Sequence, residues 1–145
     1  MEIATLATIG GITVLLVLSA FFSSSETALT TASRPRMHLL EARGDKRARL
    51  VNRLRREQDH MIGTILLGNN LVNILASALA TSVLISLFGE TGVIYATIAM
   101  TLLVLVFGEI LPKTYAFRNA DRLALTIAPT FLILVRLLSP IMSAI

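Results

Sequence analysis

Cysteine is missing from all 145 residues. That excludes disulfides and thiolate metal sites at once and leaves the redox compartment unread. Charge is scarce as well: Asp, Glu, Lys and Arg make up 15% of the chain against 54% hydrophobic residues, and mean hydropathy is +0.76. So apolar a composition excludes an ordinary soluble domain and points to the membrane. The only histidines are His38 and His60. There is then no His-x-x-His-type metal motif, no serine with a nearby histidine base and no cysteine nucleophile, and the chain reads as no enzyme. The N-terminus also lacks the basic stretch and the small-residue cleavage site of a signal peptide. It offers Glu2 and Ser-Ser-Ser-Glu-Thr instead, so the first apolar run is a retained span.

What is present is organised by its uncharged runs. Residues 3–25, 61–89 and 91–112 are the expected spans, each about long enough to cross a bilayer core. The second would reach about 43 Å as one helix, more than a core of about 30 Å, so it tilts or projects at one end. Its Ala76 and Ala80 form a small-xxx-small pair, expected to serve dimer packing. The net charge of +4 is concentrated, with nine of the thirteen basic residues between Arg34 and Arg56. Without aromatic interleaving this means membrane orientation rather than nucleic-acid binding. Met37, Leu39, Leu40, Leu50, Val51 and Leu54 recur there at helical spacing, broken near Gly44-Asp45. Residues 34–59 are thus expected to be a basic hairpin of two short amphipathic helices at the membrane surface. Nine basic against four acidic residues put it on the cytoplasmic side, with the N-terminus outside.

Residues 123–145 are apolar, but Arg136 interrupts them between Pro129 and Pro140. A juxtamembrane amphipathic helix along the inner leaflet, Arg136 snorkelling to the headgroups, is preferred to a fourth span. The apolar end at Ile145 reads as a cut rather than a natural terminus. The expected fold is therefore an all-α membrane protein forming a single domain over 1–145. It has three transmembrane helices, a cytosolic basic hairpin and a juxtamembrane helix, and it sits multi-pass in the cell membrane.

Chemistry concentrates in three polar clusters. Gly108-Glu109-Ile110-Leu111-Pro112-Lys113 ends the third span with a carboxylate, by default a functional feature at that depth. If the helix runs on, Pro112 deprives the Gly108 carbonyl of its amide beside Glu109 and offers a hinge. The alternative is a helix end at which Glu109 pairs with Lys113. Ser19, Ser23, Glu26 and Thr30 fall on one stripe of the first span, with Ser24 and Ser25 between them. Serines there either join a site or bond back to their own carbonyls. Gly68-Asn69-Asn70-Leu71-Val72-Asn73 places three asparagines in an apolar span, either as packing glue or as ligands. Hydroxyl, amide, carboxylate and carbonyl oxygens together suit Mg²⁺, Ca²⁺ or Na⁺ rather than zinc or copper.

In this order the three clusters resemble the transmembrane domain of the CorC/CNNM family of Mg²⁺ transporters, and the likeness covers nearly the whole chain. The resemblance implies a homodimer, each subunit giving three spans and a juxtamembrane helix, that exports Mg²⁺ coupled to Na⁺ entry. Ser23, Gly68, Asn69, Asn73, Glu109 and Pro112 match the family pattern, while Asn70, Ser24 and Ser25 fall where relatives vary. The implied metal set is Ser23, Ser24, Gly68, Asn69, Asn70, Asn73, Gly108 and Glu109, with Pro112 as hinge and Glu26 and Lys113 in support. Relatives continue into cytosolic CBS domains, which are absent from this sequence. A membrane scaffold or cation-sensing module, with polar residues serving helix packing, is the rival reading.

Overall fold

The computed structural model describes residues 2–143, whose elements are all helical. In chain order they are α1 (Glu2–Thr31), α2 (Arg34–Ala42), α3 (Lys46–Arg56), α4 (Gln58–Phe88), a 3-10 turn (Gly89–Thr91), α5 (Gly92–Leu103), a π-helical turn (Val104–Ile110), α6 (Leu111–Arg118) and α7 (Ala120–Ser143). Three stretches are long and apolar enough to cross a membrane: Ile3–Thr31, Gln58–Arg118, which runs from α4 through α6, and Ala120–Ile141. α1 and α4 overrun the expected spans at their polar ends because no proline or glycine stops them there. By its internal contacts the chain forms two compact bodies.

The first body holds α1 as far as Phe22 and residues Gly68–Pro112. Its core is Ala76, Ala80 and Met100, with Ile12, Leu15, Leu16, Leu103 and Val104 packed against it. Lipid tails are as apolar as leucine, so helices here gain by close approach rather than by escape from water. The alanines supply that approach. The expectation that Ala76 and Ala80 serve a dimer interface is corrected: both are buried by side chains of their own chain. The α4–α5 turn is closed by Gly89, at φ +70°, and Gly92, where a Cβ would stand 2.3 Å from the Leu84 carbonyl oxygen. Phe88 and Tyr95 meet edge to face across this turn, ring centres 5.3 Å apart.

The second body holds Ser23–Leu67 and the chain from Lys113 onward. Ser33 caps α2, its hydroxyl accepting from the Arg36 amide, and Arg34-Pro35 fills the first turn, where a missing N–H costs nothing. Gly44, at φ +93°, turns the chain, and Asp45 caps α3 by accepting from the amides of Arg47 and Ala48 at 2.8 and 3.2 Å. Buried Asn52 pins the two helices together, donating to the Met37 carbonyl and to Glu41 at 2.8 Å. The guanidinium of Arg55 reaches the carbonyls at the end of α1, donating to Leu29 at 2.8 Å and to Ala32. Burial, and then the charge of Arg34, hold that guanidinium below its usual pKa, with Asp121 opposing. Asp121, in the first turn of α7, accepts from the Ser33 amide at 2.7 Å and from Arg36 at 3.2 Å. α7 lays Ala124, Ile127, Ala128, Phe131, Leu132 and Val135 inward, and it packs along α3. Those positions repeat every three or four residues and form one face of a helix.

Candidate cation site

The first body joins two of the polar clusters. Ser19, fully buried on α1, donates its hydroxyl to Asn69 Oδ1 of α4 at 3.1 Å. With that proton committed, both lone pairs of Ser19 Oγ and the second lone pair of Asn69 Oδ1 remain as acceptors. Gly108 closes in from the third span, where a Cβ would stand 2.9 Å from Ser19 Oγ. Beside Asn69, Gly68 lies under the ring of Phe22, and a Cβ there would fall 2.4 Å from Cζ. The close approach at these two positions is open only to glycine.

Gly108 and Glu109 ride on the π-helical turn. The Leu111 amide donates to the carbonyl of Val106, five residues back, and Pro112 then has no amide to give. In an α register the carbonyl left without its amide would be that of Gly108. The turn widens just before that point, at the Leu111–Val106 bond, so Phe107 and Gly108 are the two carbonyls that an amide at position 112 would have served. A backbone oxygen thus goes without its helical donor on the turn that carries the carboxylate, and such turns gather at functional sites. Glu109 is half-buried and takes part in no ion pair among the described residues.

The other expected ligands are distributed. Asn70 faces outward on α4. Asn73 is half-buried, and its Oδ1 is shielded without a hydrogen-bond partner. It opens on a separate cleft of about 320 Å³ between α4 and α5, with Ser77, Thr81, Thr97 and Thr101. The three threonine hydroxyls donate to the carbonyls of Ser77, Val93 and Thr97 in their own helices. Ser23, Ser24, Glu26 and Lys113 belong to the second body. There Ser23 is buried, and its hydroxyl, like that of Ser25, has no partner. Thr30 and Thr64 of the same body do bond back to their helices. Back-bonding therefore does not account for Ser23 or Ser25. No group of three or more His, Cys, Asp or Glu among the described residues is arranged to hold a metal. A cation here would rest on one carboxylate and several neutral oxygens.

The profile of the cyclin M transmembrane N-terminal domain, CNNM, matches residues 10–145. The chain belongs to that family. The CNNM domain is 47% identical over 107 residues to the UPF0053 inner membrane protein YfjD of Escherichia coli K12, covering 74% of this chain and 25% of the relative. It is 44% identical over 109 residues to a UPF0053 protein of Haemophilus influenzae, covering 75% and 26%. A chloroplastic DUF21 domain-containing protein of Arabidopsis thaliana is 40% identical over 111 residues, covering 77% and 17%. The chain thus spans about a quarter or less of the length of these curated relatives.

Within this CNNM domain the residue that sequence reasoning passed over is Ser19. It stood on the expected stripe, one turn before Ser23, but nothing in the stripe said which turn faces Asn69. The signal available was its place on the stripe: Ser19 lies one turn deeper in the apolar run than Ser23.

Proposed function

We propose that this CNNM domain carries a hard divalent cation, Mg²⁺, across the membrane, and that it does so as an exporter coupled to Na⁺ entry within a homodimer. The observation that carries the reading is the packing of the Ser19–Asn69 pair against Gly108, on the turn that holds Glu109. Every donor there is oxygen, which favours Mg²⁺, Ca²⁺ or Na⁺ over metals that seek sulfur or imidazole. Mg²⁺ gives up water reluctantly, so neutral oxygens beside a single carboxylate suit an ion that keeps part of its hydration shell. Export, Na⁺ coupling and the dimer rest on the family likeness. The basic α2–α3 hairpin supports a cytoplasmic placement for the second body and an outside N-terminus. α3 carries Lys46, Arg47, Arg49, Arg53, Arg55 and Arg56, which are costly in hydrocarbon, and α7 packs along it. That supports α7 as a juxtamembrane helix rather than a fourth span.

The test is Mg²⁺ flux into liposomes with Glu109→Gln, which keeps the shape and removes the charge. Flux falls to background while the melting temperature without Mg²⁺ stays near wild type. Wild-type flux from the variant would overturn the reading. A second reading, a scaffold whose polar residues only hold helices together, has the satisfied Ser19–Asn69 bond in its favour. It requires Asn69→Leu to lower stability while leaving cation-dependent stabilisation intact.

A further inference from the structure

The second body contains a cleft of about 410 Å³ between the end of α3, the start of α4 and α7. Beside His60 and Ser139, three kinds of group line it. Arg53 and Arg56 of α3 and Arg136 of α7 bring guanidinium groups to it, and none of the three pairs with an acid among the described residues. Glu57 and Asp59, at the α3–α4 junction, bring carboxylates. Leu132 and Val135, both buried on α7, add an apolar wall.

Its level in the membrane follows from the helices that build it. α3 is too highly charged to leave the aqueous side of the interface. α7 lies against α3 on one face and still exposes Ile133 at 60% and Leu137 at 69%, side chains that suit acyl chains. The cleft thus lies where polar headgroups give way to hydrocarbon. A guanidinium fork matches phosphate oxygens in pairs. Carboxylates in the same cleft disfavour a purely anionic occupant and favour one that also carries an N–H cation. The apolar wall favours an occupant with a hydrocarbon tail.

We propose that this cleft binds an amine-bearing glycerophospholipid, its phosphate among Arg53, Arg56 and Arg136 and its ammonium at Glu57 and Asp59. The site is independent of the cation pathway and stands or falls without it. A choline headgroup carries its charge with no N–H to donate, so the carboxylates discriminate against it. A glycerol headgroup offers phosphate but no cation, and leaves both carboxylates unanswered. Arg136, which breaks the apolar run of the last helix, has its role here as a phosphate ligand.

The experiment offers the purified full chain mixed micelles of equimolar phosphatidylethanolamine, phosphatidylcholine and phosphatidylglycerol with matched acyl chains. Lipid retained through gel filtration is counted by mass spectrometry. Phosphatidylethanolamine is retained over both others, and Arg136→Ala lowers its retention by about tenfold, the effect of one lost charge-assisted hydrogen bond. Arg47→Ala, an equal charge change at an exposed position on the opposite side of α3 from Arg56, leaves retention unchanged. Glu57→Gln with Asp59→Asn abolishes the preference over phosphatidylcholine while phosphate-dependent retention persists, and this arm decides should Arg136→Ala fail to fold. Equal retention of the ethanolamine and choline lipids overturns the proposal. So does a preference for phosphatidylglycerol, which would mark a plain basic surface. Full displacement by soluble phosphoethanolamine overturns it too, since a free phosphate site would not use the apolar wall.

Discussion

Replacing Gly108 with alanine separates function from stability in this domain. The new Cβ would stand 2.9 Å from Ser19 Oγ, 3.6 Å from Ser19 Cβ and 3.7 Å from a Val104 methyl. Only the first distance is impossible, and the offending atom is the tip of a short side chain. Ser19 therefore rotates away and loses its bond to Asn69, a cost of about 1 kcal/mol. Alanine in a helix interior is in turn favoured over glycine by roughly 1 kcal/mol. The two terms nearly cancel, so the melting temperature without Mg²⁺ stays close to wild type. The cation does not share that cancellation. Saturation at about a hundred times Kd stabilises the wild type by about 2.7 kcal/mol. Displacing Ser19 and releasing Asn69 weakens binding by about tenfold, the value of one neutral oxygen ligand. At the same Mg²⁺ concentration the stabilisation falls to about 1.4 kcal/mol. The assay is thermal unfolding in detergent across a Mg²⁺ titration, with Ca²⁺, Mn²⁺ and Na⁺ in parallel. A Gly108→Ala protein that keeps the full Mg²⁺ shift would refute the placement of Ser19 and Asn69 at the site.

Other substitutions test the frame that holds the site. Gly92→Ala places a Cβ against the backbone of Leu84 and Ile85, which cannot rotate aside; it destabilises at or beyond the roughly 1–3 kcal/mol of ordinary overpacking, read as a lowered melting temperature. Asn52→Ala unpins the hairpin and costs about 1–3 kcal/mol, with faster proteolysis between α2 and α3 as its signature. Arg55→Lys keeps the charge but loses the fork on Leu29 and Ala32, lowering stability by about 1–3 kcal/mol and loosening amide exchange at the end of α1.

The amphipathic pattern of residues 34–59, the glycine at the hairpin turn and the weight of charge on α3 were legible because each depends on near neighbours. The helix expected from residue 123 onward was legible for the same reason. The register around Pro112 was not. A proline announces that one carbonyl loses its amide, but which one depends on whether the turn closes over four residues or five, and that is decided by packing from other helices. The choice between Ser19 and Ser23 failed to resolve on similar grounds: both lie on one stripe, and only the approach of α4 at Gly68 shows which turn Asn69 reaches. Ala76 and Ala80 show a third kind of limit. Their spacing signals close approach faithfully, yet it carries no label saying whether the visitor comes from the same chain or another.

The threonine wall of the α4–α5 cleft has a consequence of its own. Thr81, Thr97 and Thr101 have turned their protons into their own helices. What each shows to the cleft is electron density without formal charge. Such a wall sorts by polarity: water presents its hydrogens to it, an alkali ion is tolerated, and chloride finds no donor among the three threonines, which leaves only Asn73 and Ser77 to supply one. Valine at these positions would keep the shape of the cleft and remove that sense of sign.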